Sequence, residues 1–421
     1  MGGCVTLSRC GDEAVNSPMN SRQGPGSHNA GRRRSLRAVA AASVLATALA
    51  LQLAGPTGRI GPSGAQLVAS STSIACSGSD SKVSYPPGPH GLFQVSSGGT
   101  KTAEEYVMNS SLICGAVFYA NWSAIDLGPG HNPQYDFTAL DSEIAPWEAA
   151  GKEVALIISG ANEAGTVDSD TPSYVASKVT MVRCTGEPPV PVFWQSAYLS
   201  NWEAFIKATV DHFRSDPHVA YMRFGVTVDG EGYLPGLLGS SKSCLNLWDA
   251  QGYATDWSGY LHDLFTYEGS LGSDHRLVAS MSYDDMENGG ADVAAAAGVG
   301  VGMEGMNKAS ADAVLTRQPC PNANWCAYYS ALAGHTPLYV QMYSTTDPSG
   351  DLHTTPPSHQ EITGPLTPLL QAGIALHTQI FEIWPADWLL ALDPSYPGYA
   401  TYHTAYVNAL TAAAAVVNYV G

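Results

Sequence analysis

Glu231, Glu304 and Glu382 stand at or just beyond the ends of short apolar runs, with Asn121, Asp229 and Gln341 in comparable places. Trp122, Tyr343 and Trp384 lie beside them in the chain, and Trp194 closes the run 189–194. Carboxylates, amides and flat aromatic rings suit one chemistry in combination. Hydrolysis of a glycosidic bond takes one carboxyl group to protonate the leaving oxygen and a second to stabilise or attack the sugar. Aromatic rings match the apolar face of a pyranose, and amides bind its hydroxyls. Each residue also has an ordinary structural role open to it. Glu231 between two glycines could be an exposed loop acid. Glu382, inside an apolar run, must face a cavity or be paired. The four aromatics could serve in a core.

Other chemistries find less support. No G-x-S-x-G elbow occurs, and the run 298–302 lacks the Lys-Ser/Thr that would complete a phosphate loop. No CxxC or Cys/His cluster at ligand spacing points to a metal, and no cofactor is implied. Asp284, Asp285 and Glu287 read as a solvated loop or helix cap that could also bind a cation. His212 and His377 read as ordinary hydrogen-bonded histidines.

Apolar runs that can be buried strands fall at 92–95, 115–120, 154–159, 219–226, 277–283, 299–303, 338–343 and 377–383. Amphipathic stretches fall at 103–112, 137–150, 200–213, 257–266, 310–315, 325–333, 362–375 and 401–419. Eight strands alternating with helices predict an α/β fold, a single-domain (β/α)8 TIM barrel, whose chemistry sits where strands run out into loops. An open doubly wound sheet is the alternative, although no Gly-rich fingerprint follows the first strand.

The stretch Pro189-Val190-Pro191-Val192-Phe193-Trp194, followed by Tyr198, Trp202, Phe205 and Ile206, resembles barrel glycoside hydrolases. So does its continuation from Phe213 through Asp216-Pro217-His218-Val219 to Gly230-Glu231. The resemblance is to the clan that includes cellulase-like and β-galactosidase-like enzymes. It implies that Glu231, at the end of the fourth strand, is the acid/base, and that Trp384 floors the sugar site. The chain departs from that clan at the seventh strand, where Gln341 stands in place of the nucleophilic Glu. An amide cannot be the nucleophilic carboxylate. The second carboxylate is then expected to be Glu382, beside Trp384, with Glu304 as the alternative. A barrel that binds sugar without cleaving it also remains open, as does a cation-dependent hydrolase using the acids at 284–287.

Around this domain lie segments of another kind. Arg32, Arg33, Arg34 and Arg37 precede an uncharged apolar run at 38–54, the composition of a secretory signal and short for a permanent span. The expected organisation is a targeting segment at 1–59, a Gly/Ser/Pro-rich spacer at 60–90 and the barrel at 91–421. Seven of the 19 Lys/Arg and two of the 37 Asp/Glu lie in 1–59, leaving twelve against thirty-five and a net charge of −23. Such a surface repels nucleic acid and anionic membrane, leaving carbohydrate as the expected partner of a secreted protein with no stable membrane insertion. Six of the eight cysteines lie beyond residue 59, and Cys320 and Cys326 are the expected disulfide pair.

Overall fold

A computed structural model describes Cys76 and residues 85–95, 101–162, 170–185, 187–232, 234, 242–272, 276–316, 325–348 and 363–418. The chain divides into Met1–Val68 and Ala69–Gly421, and every described residue belongs to the second unit. The targeting segment expected at 1–59 therefore lies outside the described residues.

Among the described residues, ten strands run in chain order. They are β1 (Gly91–Val95), β2 (Gly115–Asn121), β3 (Glu153–Ser159), β4 (Met181–Arg183), β5 (Pro189–Pro191), β6 (Val219–Phe224), β7 (Leu277–Ser280), β8 (Gly300–Met306), β9 (Leu338–Met342) and β10 (Ile380–Ile383). Eight of them close a barrel in the order β1-β2-β3-β6-β7-β8-β9-β10. The ring is completed by a parallel ladder in which Gly91 faces Ile380. Closure excludes the open doubly wound sheet, and the fold is a (β/α)8 TIM barrel. All eight expected strands are present, because strands buried on both faces read as nearly continuous apolar runs.

The pleat sends alternate residues inward. Phe93, Val117, Ala155, Ile157, Tyr221, Val278, Tyr339 and Ile380 form the interior cluster. The intervening positions, among them Leu92, Leu156 and Met222, join the layer shared with the helices. Each such large apolar side chain contributes roughly 1.5–3 kcal/mol when fully buried. Interior volume is tight at Gly302 on β8, where a Cβ would lie 2.0 Å from Cδ1 of Tyr339.

Three local features differ from expectation. Helices Tyr283–Glu287 and Gly290–Ala296 fill the connection between β7 and β8, where no helix is expected. Gly290–Ala296 is mostly small residues, so it carries helix propensity without a strong apolar stripe. Asp285 is buried rather than solvated, accepting hydrogen bonds from Trp257 Nε1 at 3.0 Å and Ser282 N at 2.8 Å. Strands β4 and β5 form a small antiparallel pair inserted between β3 and β6. A Cys184–Cys244 disulfide ties it to helix Lys242–Asp249.

A second disulfide joins Cys76, within the expected spacer, to Cys114 at the foot of β2. Cys326 is also disulfide-bonded, while Cys320 lies outside the described residues. Among the described residues no helix is long and apolar enough to cross a membrane.

Candidate active site

At the carboxyl ends of the barrel strands a cavity of about 860 Å3 opens. Asn121, Asp229, Glu231, Glu304, Gln341, Tyr343 and Trp384 line it, together with Tyr119, Asp170 and Trp325. Seven of the residues expected from sequence thus meet at one place. Three do not. Trp122 is wholly buried, packed against Tyr198, Trp202 and Phe205, with its Nε1 donating to Asp126 at 3.0 Å. Trp194 joins Trp248, Tyr253 and Trp257, and its Nε1 donates to the carbonyl of Gln251 at 2.7 Å. Trp122 is a core residue and Trp194 packs half-buried against the core, as aromatics with satisfied polar ends commonly do. Glu382 has no exposed surface and contributes nothing to the cavity wall.

Glu231 is set by a tight turn after β6. Asp229 and Gly230 both take positive φ, 50° and 79°. Glu231 N donates to Val228 O at 2.7 Å, Thr227 N donates to Glu231 O at 3.0 Å, and Asp229 N donates to Ala161 O at 2.7 Å. A Cβ at Gly230 would lie 2.3 Å from Cγ2 of Ile157, so glycine is required there for both space and conformation.

The other carboxylates sit in a row. Parallel pairing places Glu304 of β8 beside Gln341 of β9, and Gln341 beside Glu382 of β10. Arg223, on β6, reaches this row from across the barrel. Its Nη2 is 2.7 Å from Glu304 Oε1, and its Nη1 is 3.1 Å from Glu382 Oε2. Gln341 accepts from Arg223 Nη2 at 3.4 Å and from Tyr119 Oη at 3.3 Å, and donates to Glu304 Oε2 at 3.4 Å. Tyr221 Oη donates to Glu382 Oε1 at 2.8 Å, and the Tyr339 ring lies 5.0 Å from Arg223 Cζ.

This row accounts for the amide at the seventh strand. A carboxylate at position 341 would stand between two others with only one guanidinium to compensate all three, and close like charges resist joint ionisation. Gln341 donates to one neighbour and accepts from Arg223, which a carboxylate could not do. Burial opposes the charge on Arg223, but Glu304 and Glu382 outweigh it and hold its pKa well above the ordinary guanidinium value. Burial pushes Glu382 up to about 7 against the pull of Arg223, with Glu304 adding to the rise. Enclosure in the barrel mouth, followed by Glu304, then Glu382 and Glu231, pushes the Tyr119 phenol well upward against Arg223. Glu231 and Glu304 therefore both act on one hydroxyl.

The sequence does not single out Arg223, Tyr221, Tyr119, Asp170 or Trp325. Arg223 nonetheless carries a readable signal, as a lone charge inside Val219–Phe224, a strand otherwise fit for burial on both faces. Among the described residues, no group of three or more His, Cys, Asp or Glu is arranged to hold a metal ion.

No family model and no curated protein matches the sequence. Similar solved structures include an exo-β-1,4-mannosidase from Opitutaceae bacterium strain TAV5, with a TM-score of 0.45 and 10% identity over 81% of this chain. The chain spans 63% of that protein's length. A thermostable mutant of a xylanase from Cellvibrio japonicus has a TM-score of 0.45 and 12% identity, covering 77% of this chain and 98% of its own. The catalytic domain of a β-amylase from Paenibacillus polymyxa has a TM-score of 0.43 and 12% identity, covering 78% and 99%.

Proposed function

We propose that the chain is a secreted glycoside hydrolase acting on a poly- or oligosaccharide, with Glu231 and Glu304 as its working carboxyl groups. One observation carries the reading. Two carboxyl-bearing residues from the ends of different barrel strands line the same 860 Å3 cavity as the rings of Tyr343, Trp325 and Trp384. Glu231, on its turn, would give a proton to the departing glycosidic oxygen. Glu304, ion-paired with Arg223 at 2.7 Å, would stabilise or attack the anomeric carbon or take the proton from the attacking water. Water then completes the exchange, its hydroxyl ending on the sugar. Glu304 takes the place expected for Glu382 because Glu382 has no surface in the cavity.

Secretion is supported by the basic and apolar composition of residues 1–59 and by the disulfides of the domain that follows. In this reading residues 1–59 target the chain, 60–90 form a spacer tied down at Cys76, and 91–421 are the catalytic domain.

The test is a panel of polysaccharides incubated with the purified chain and read by product mass. Release of oligosaccharides is expected, abolished in Glu231→Gln and Glu304→Gln with the fold retained. A second reading, a sugar-binding barrel without catalysis, is favoured by Gln341 at the seventh-strand position. Saturable oligosaccharide binding with no product from any member of the panel would select it instead.

A further inference from the structure

The proposed reaction uses Glu231 and Glu304 and leaves two charged groups beneath the cavity without a role. Arg223 and Glu382 are both wholly buried. Charges are costly to bury, and replacing a buried ion pair with apolar residues is often neutral for stability. Their presence at the floor of a cavity therefore calls for an explanation beyond stability.

Geometry supplies one. The guanidinium has two outer nitrogens, and each is committed to a different carboxylate. Nη1 donates to both oxygens of Glu382, at 3.3 and 3.1 Å, while Nη2 faces Glu304 at 2.7 Å. Glu382 is itself fixed by Tyr221 Oη at 2.8 Å, and Tyr339 covers a face of the guanidinium at 5.0 Å. An arginine side chain has several rotatable bonds, and one contact would leave it free to swing. Anchoring its far end leaves the near end one direction in which to point, toward the cavity carboxylate. Both oxygens of Glu382 already accept hydrogen bonds, one from Tyr221 and Arg223 and the other from Arg223.

We infer that Glu382 and Arg223 are positioning residues: Glu382 clamps one end of the guanidinium so that the other end holds Glu304 at the floor of the cavity. The assignment rests on the proposed role of Glu304 and predicts different behaviour for two glutamates that share one arginine. A displacement of about 1 Å at a reacting group can cost on the order of 10²-fold in rate. Glu382→Gln keeps an acceptor for Tyr221 and Arg223 but loses the charge.

The experiment compares wild type with Glu382→Gln, Glu382→Ala, Glu304→Gln and Glu304→Ala on a substrate identified by the panel, with and without added formate. Glu382→Gln is expected to lower kcat by about 10²-fold with KM within about twofold, whereas Glu304→Gln leaves no measurable turnover. Formate, a small carboxylate able to enter the cavity, should restore part of the activity of Glu304→Ala and none of that of Glu382→Ala. Full activity in Glu382→Gln overturns the inference. So does a loss as complete as that of Glu304→Gln, or rescue of Glu382→Ala by formate. Should Glu382→Ala fail to fold, the split between kcat and KM in Glu382→Gln decides alone. Full turnover in both Glu231→Gln and Glu304→Gln, or an inert wild-type chain, instead brings down the functional reading itself.

Discussion

Gly302 and Tyr339 face each other from adjacent strands so closely that a Cβ on the glycine would stand 2.0 Å from Cδ1 of the ring. The ring cannot retreat without consequence, because its other neighbour is Arg223, at 5.0 Å. Gly302→Ala is therefore expected to push Tyr339 onto the guanidinium, destabilising the chain by about 1–3 kcal/mol. Activity should fall by more than the unfolded fraction explains. Thermal melts and initial rates on the same preparation check this, and a variant with normal kcat would show that the ring and the site are uncoupled.

The stability of the domain should fall as pH rises through neutrality. Burial raises Glu153 and Glu268 to about 8, and Asp387 to about 7, although Lys152 and hydrogen bonds from Thr345 and Thr346 pull the other way at two of them. The folded chain thus holds protons that the unfolded chain releases near pH 4–4.5, so stability drops between that range and about pH 8. Glu268 is the cleanest case, since its only cause is burial and its Oε1 has no hydrogen-bond partner. Glu268→Gln should raise Tm at pH 8 and leave it nearly unchanged at pH 4. Chemical denaturation across that range gives the slope, and a profile flat from pH 4.5 to 8 would contradict it.

Tyr343, 40% exposed at the edge of the cavity, is placed to offer a ring face to a sugar. Tyr343→Ala should raise KM about tenfold, equivalent to about 1.4 kcal/mol, with little change in Tm. Trp384 offers no such clean test, because its Nε1 donates to the carbonyl of Met342 at 2.7 Å and its removal disturbs β9.

The cavity carries Asp170, Asp229, Glu231 and Glu304, and no Lys, Arg or His among its described lining residues. Oligosaccharides containing uronic acids should therefore react more slowly than neutral ones of the same length, by about tenfold in kcat/KM at low salt. Raising ionic strength should narrow the gap by screening. Paired substrates assayed from low to high salt measure it, and a preference for the anionic member would argue against the proposed site.

Sequence legibility divided along a physical line. Strand positions were readable because burial on both faces leaves continuous apolar runs, and 338–343 or 154–159 admit few other interpretations. Residues at strand ends followed from the strands, which is why Glu231, Glu304, Gln341 and Trp384 could be placed at one mouth. What sequence could not decide was which side of the mouth's floor a carboxylate occupies. Glu304 and Glu382 both end apolar runs, yet one has side-chain exposure of 10% and the other none. That difference arises from register across three strands and from an arginine far away in the chain. Trp122 and Trp194 are ambiguous for the converse reason, since a tryptophan near a strand end looks the same whether it faces a cavity or a helix. The helix Gly290–Ala296 is not legible in the sequence because a face made of alanines has too little apolar contrast to show periodicity.

The network beneath the cavity is assembled from distant parts of the chain. Tyr119 meets Gln341 across 222 residues, and Tyr221 meets Glu382 across 161. Contacts of such separation form late, after the loop-closure entropy of the intervening chain has been overcome. The last of the described strands, β10, supplies Glu382 and also seals the ring against β1. The clamp on Arg223 therefore comes into being with the closing of the cylinder. A chain in which β10 has not yet paired has neither, so under the proposed function turnover would double as a report that the ring has closed.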